Sequence, residues 1–99
     1  MKLMFNRWGE ALLTRSLGKS ASRELRGLLI ENSGKIVLDF DGVDIINNAF
    51  ADEVFGKLSI DIGLPELKKR TTFRNVNPFI ETVIKSAINE RLAEVAMRK

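Results

Sequence analysis

The sequence predicts a single small α/β domain over residues 1–99: a mixed sheet of about four strands, opened by an N-terminal hairpin and packed against three helices. Two observations carry this expectation. Short β-favouring runs alternate with longer segments whose apolar residues recur at three- and four-residue intervals, an order that right-handed crossovers fold into a partly parallel sheet. The run at 36–40 is also apolar on both faces until Asp39, which suits a strand in the middle of that sheet. The 99 residues supply one core, and no stretch rich in Pro, Gly or Ser divides the chain.

Residues 1–15 hold two apolar runs, 3–5 and 11–13, separated by Asn6 and Gly9, and read as a hairpin. Trp8, near its turn, caps one edge of the core or offers an exposed edge for self-association. From Ser16 to Asn32, the residues Leu17, Ala21, Leu25, Leu28 and Leu29 mark one helical face. Ser16 is the expected N-cap and Gly34 the expected left-handed terminator. After the strand at 36–40, helical spacing resumes beyond Asn48 with Ala51, Val54, Phe55, Leu58 and Ile62 on one side. Asn48 is placed to cap this helix, and Asp52 and Glu53 in its first turn suit the positive end of its dipole.

Gly63-Leu64-Pro65 breaks that helix, Glu66 to Arg70 reads as a charged loop, and 71–76 reads as a less apolar strand nearer an edge. Asn77-Pro78 opens the last helix, 78–96, because proline at the first helical position sacrifices no internal hydrogen bond. Ile80, Val83, Ile84, Ala87, Ile88, Leu92 and Val95 give that helix one apolar face.

The chain has no cysteine and no histidine, which excludes a thiol nucleophile, a Ser-His-Asp triad, the usual structural zinc sites and imidazole acid–base chemistry. Carboxylate, lysine and hard-cation chemistry remain. The net charge of +3 arises from 16 basic residues interspersed among 13 acidic ones, which describes a solvated surface better than a phosphate track, so nucleic acid is not the expected partner. No run approaches the roughly 18 apolar residues of a membrane span, and Lys2, Asn6 and Arg7 interrupt the N-terminal apolar residues. The expected location is the cytoplasm.

The densest chemistry lies between Lys35 and Leu58, where Asp39, Asp41 and Asp44 follow the central run. Taken alone, residues 36–43 (IVLDFDGV) resemble the first motif of haloacid-dehalogenase phosphatases. That resemblance implies Asp39 as nucleophile, Asp41 as acid/base and Mg²⁺ as the bridging ion. Mg²⁺ needs further oxygen ligands, however, and beyond Asp61 only Glu66, Glu81, Glu90 and Glu94 remain, the last three on the final helix. The alternative is structural: Asp41-Gly42 marks a turn, and Asp39 and Asp44 bond nearby amides or cations. The sequence favours this second role.

From about Thr14 to Arg91 the chain resembles the STAS-like domain family of unknown function, a relative of the STAS domains of anti-sigma-factor antagonists and sulfate transporters. The resemblance rests on Thr14-Arg15, the LDFDGV strand at 38–43, the string FADEVFG at 50–56 and the strand end Arg74-Asn75-Val76-Asn77. It implies a sheet with helices on one main side, no catalysis and no cofactor or metal. The implied role is regulatory, through binding a protein partner such as an ATPase of the histidine-kinase-like fold. In the antagonists, a serine at the start of the helix after this strand is phosphorylated, and the added charge of about −2 breaks the complex. That position falls on Ala49 here, preceded by Asn48, and neither accepts phosphate. The chain is therefore a constitutive binder, or another residue such as Ser59, Thr71 or Thr72 takes the phosphate.

Local chemistry points to the same stretch: the amides of Asn47 and Asn48 sit beside a helix start, flanked by Ile45, Ile46 and Phe50. The candidate partner-binding residues are Asn47, Asn48, Ala49, Phe50, Asp52 and Glu53, with core as the competing role for Phe50 and Phe55. Arg15, Asp39 and Asn75 form a second set, structural or anion-binding. Thr14-Arg15 at a helix start suits an anion, and an ion pair of Arg15 with Asp39 or Asp52 suits it equally. A homo-oligomer is compatible with the sequence.

Overall fold

The computed structural model of the protein describes residues 1–98. Its core is a three-stranded sheet in the order β1-β3-β5, formed by Lys2–Met4, Ile36–Asp39 and Thr71–Arg74. A second, two-stranded sheet pairs β2 (Ala11–Leu12) with β4 (Ile45–Ile46). Every pairing is parallel. The sheet is therefore neither mixed nor four-stranded, as the sequence had suggested, and β4 lies in a segment that reads as loop.

No hairpin forms at 1–15. Phe5 leaves β1 into a 3₁₀ turn, Phe5–Trp8, and its fully buried ring stacks on Phe40 at 4.3 Å with 6° between planes. Phe50 meets the same ring edge-on at 6.3 Å. Gly9 then takes φ 118°, a conformation open to glycine, and redirects the chain so that β2 joins the other sheet. The two apolar runs are thus separate strands of separate sheets, joined by a corner. Trp8 is half-buried against the core, with the Arg7 guanidinium 5.1 Å from its ring centre.

Helix α1 spans Arg15–Glu31 and is capped by Thr14 rather than Ser16, the Thr14 hydroxyl accepting the Leu17 N–H at 3.1 Å. Its end does not use a left-handed Gly34. Instead the Asn32 side chain donates to Leu28 C=O, and the Arg70 guanidinium donates to the carbonyls of Leu29 and Asn32. The helix after β4 is continuous over 48–62, as α2 (Asn48–Ala51), a π-helical turn (Asp52–Gly56) and α3 (Lys57–Ile62). Gly63 breaks it, at φ 86°. Residues 64–70 are not a loop but helix α4 (Leu64–Arg70), with Pro65 in its first turn. The strand expected at 71–76 stops at Arg74, since Asn75 is left-handed at φ 56°. Helix α5 (Pro78–Met97) starts as the sequence indicates, Asn77 accepting the Ile80 N–H at 2.8 Å. The π turn counted as part of one helix, four helices are present among the described residues rather than three.

Strand register explains which sheet face is covered. Leu3, Leu38 and Phe73 form one row across the three strands, and all three contact or join the apolar core. The alternate row Met4, Asp39 and Arg74 points the other way. The helices therefore cover one main face, and β5 lies at an edge, as the sequence predicts. No described helix is long and apolar enough to cross a membrane.

Truncating the ring at the centre of the aromatic stack, Phe5→Ala, is expected to cost about 3–5 kcal/mol of unfolding free energy in a urea titration. A loss below about 1 kcal/mol would mean that the 3₁₀ corner contributes little to the core.

Candidate functional site

Five successive residues of the π turn, Asp52 to Gly56, are buried, which one face of an isolated helix cannot achieve. They are enclosed because α1 packs on one side of this helix and α5 on the other. Two glycines set the approach. A Cβ on Gly18 would lie 2.7 Å from Glu53 Cβ, and one on Gly56 would lie 2.6 Å from Asp52 Oδ1 and 3.3 Å from Ala87 C=O. π turns arise mostly as local insertions in helices, frequently at functional positions.

Two carboxylates lie in this enclosure. Asp52 receives a bidentate fork from Arg91, Nε to Oδ1 at 2.6 Å and Nη2 to Oδ2 at 2.8 Å, and a further bond from Arg15 Nη1 at 2.9 Å. Glu53 receives Arg15 Nη1 at 3.0 Å and Lys57 Nζ at 2.9 Å. The Arg91 bonds, opposed by burial and reinforced by Arg15, hold the Asp52 carboxyl at a pKa of about 2. Burial works against ionised Glu53, yet the bonds from Lys57 and Arg15 outweigh it and leave its pKa lowered. The Asp52 bond raises both Arg91 and Arg15 above the ordinary guanidinium value. Arg15 is thus drawn into an ion pair, with Asp52 and Glu53 and not with Asp39.

Asp39 has a separate set of partners. Its Oδ1 accepts the Asn75 amide at 2.9 Å and the Asp41 backbone N–H at 2.9 Å, while Lys2 Nζ lies 3.6 Å from Oδ2. The Asn75 bond, then the Asp41 amide, lower its pKa. Asp41 is exposed, and no group of three or more acidic side chains is placed to hold a metal ion among the described residues. Asp39 and Asn75 therefore come together, as a brace between the ends of β3 and β5, while Arg15 lies elsewhere.

The loop into α2 is held rigidly. Asn47, not Asn48, is the N-cap: its Oδ1 accepts the Phe50 N–H at 3.0 Å and its Nδ2 donates to Leu13 C=O at 2.9 Å. Asn77 Nδ2 reaches Asp44 C=O at 3.3 Å. Beside Asn47 and exposed Asn48 stand two exposed apolar side chains, Leu13 (43% accessible) and Ile45 (39%), and exposed Phe79 (52%) follows Asn77, whose amide meets Asp44. Ala49 is half-buried, and Phe50, Phe55, Asp52 and Glu53 are interior. Ser59 and Thr71 are buried with their hydroxyls donating to Gly56 C=O at 2.7 Å and Leu67 C=O at 2.6 Å, while Thr72 is half-buried on the edge strand. Sequence reasoning missed Arg91 and Leu13. For Arg91 the available signal was an arginine on the last helix, one residue before Leu92 of its apolar stripe.

These features define a class: a small α/β module whose polar centre sits at the helix following its central strand. A family model described as a STAS-like domain of unknown function (DUF4325) matches residues 23–81, more than half of the chain. The chain belongs to this family. The match takes in Asp39, the segment 47–55 and Asn75, and leaves Thr14, Arg15 and Arg91 outside it. No curated protein and no solved structure matches the chain.

The lowered pKa of Asp52 fixes the sign of a pH effect. Its ionised form stabilises the fold above the unfolded-state value of 3.8, and that contribution disappears as pH falls towards about 2. Asp52→Asn is expected to cost about 2 kcal/mol near neutrality, with the gap to wild type closing between pH 5 and 2 in urea titrations. A pH-independent gap would show that the charge of Asp52 is not what stabilises the helix.

Proposed function

We propose that the domain is a non-catalytic, regulatory protein-binding module of the cytoplasm. Its contact surface is the rigid helix start at 47–49 with the apolar groups around it, and its partner is an ATPase of the histidine-kinase-like fold. The observation that carries this reading is the exposure of Leu13 and Ile45 beside the capped Asn47-Asn48 step. Exposed apolar groups beside fixed polar ones are the composition of a protein contact rather than of a solvated loop. Leu13 and Ile45 follow the carboxyl ends of β1 and β3, the end at which open α/β sheets bind ligands. Asp52 and Glu53 hold the surface in shape from beneath, and Phe50 supports it from the core. With Ala49 at the usual acceptor position, binding is constitutive with respect to phosphate on that residue.

The test is calorimetric titration of the domain with the histidine-kinase-like ATPase of its own cell, followed by incubation with ATP. A complex is expected that Ile45→Glu weakens about tenfold or more and Lys19→Glu, on the exposed face of α1, leaves unchanged. Intact mass is expected to show no phosphate on residues 48–50. Equal binding by Ile45→Glu, or a stable phosphoryl adduct there, would overturn the reading. Hydrolysis of an aryl phosphate with Mg²⁺, abolished by Asp39→Asn, would replace it with phosphotransfer.

A further inference from the structure

We propose that the open edge of β5 is a second docking site, which takes an extended, acidic segment of a partner protein as an added strand. In parallel pairing the N–H and C=O of successive residues face opposite sides. The Arg74 C=O accepts the Phe40 N–H at 3.0 Å, so Arg74 and Thr72 face β3 and the N–H and C=O of Phe73 face outwards. The N–H of Thr71 is already used on Leu67 C=O. Neither proline nor a bulge protects this edge, and left-handed Asn75 ends it.

A groove of about 800 Å³ runs along the edge, between β5 and the helices α4 and α5. Leu67, Ile84 and Ile88 form its apolar floor, with half-exposed Phe73 on the strand side. Its charged rim has three lysines, Lys35, Lys68 and Lys85, against the single acid Glu81, which pairs with Lys85 at 3.0 Å. A strand laid beside β5 would complete the Phe73 ladder, point alternate side chains at the apolar floor, and meet surplus positive charge at the rim. The occupant is therefore an extended segment with alternating apolar and acidic residues. This site does not depend on the helix-start surface: neither Leu13 nor Ile45 lines the groove, and Lys35 and α4 lie before strands β3 and β5.

The probe is a capped heptapeptide of alternating glutamate and valine, titrated into the ¹⁵N-labelled domain. Binding is expected to protect the Phe73 amide from hydrogen exchange, and replacing glutamate by lysine in the peptide is expected to weaken it about tenfold. N-methylation of one alternate set of peptide amides is expected to abolish binding, and of the other set to leave it intact, since only one edge of the guest faces β5. Lys35→Glu with Lys68→Glu, both exposed, is expected to reverse the preference between the two peptides. No binding at millimolar peptide, equal affinity for both charges, indifference to N-methylation, or shifts confined to Leu13 and Ile45 would each overturn the proposal.

Discussion

The architecture depends on two carboxylates buried in the middle of one helix. An ionised side chain taken out of water costs several kcal/mol unless cations reach it. Here one cation lies on the same helix, at Lys57, and the others come from its neighbours, Arg15 of α1 and Arg91 of α5. Asp52 can be buried only when both flanking helices have docked, so the ion pairs fix the relative register of three helices as well as adding stability. Gly18 and Gly56 serve the same end, since the helices approach closely enough for these bonds only where no Cβ intervenes. Among the described residues no buried side-chain polar atom is left without a partner, which is the condition for such a network to help rather than harm.

Much of this was legible in the sequence, and the pattern of success follows range. The helices of 16–32, 48–62 and 78–96 announce themselves by spacing, and the Asn77-Pro78 start is read directly because cap chemistry is local. The strand at 36–40 is equally plain. Pairing is not legible. The apolar runs at 3–5 and 11–13 are close in sequence and suggest each other as partners, yet each pairs with a strand far down the chain, a choice set by burial of Phe5 against Phe40 and Phe50. Residues 66–70 mislead because their charges look like a loop, whereas buried Leu67, with Leu64 packed beside it on the core, turns that helix inwards.

The site divides along the same line. The segment 47–55 stands out by composition, and its family is shown by the match over 23–81. What composition cannot reveal is depth. Asp52 and Glu53 read as the exposed first turn of a helix, but the π turn and the two flanking helices enclose them, while Leu13 reaches the surface beside Asn47 from a strand end 34 residues earlier. The LDFDGV aspartates, the most conspicuous chemistry in the sequence, brace strand ends through Asn75 and a backbone amide.

The wholly parallel pairing also bears on how the chain reaches this structure. The strand partners Lys2↔Val37, Ala11↔Ile45 and Ile36↔Thr71 are 35, 34 and 35 positions apart, so no two strands can meet as neighbours through a tight turn. Each ladder must close a long loop before it gains its first bond, which is an entropic barrier that a hairpin avoids. The short-range bonds of the chain lie in its helices, whose packing brings the distant strand segments together. Assembly of the sheet therefore carries a loop-closure cost at every ladder, and a β5 not yet paired with β3 presents both of its edges to any other chain nearby.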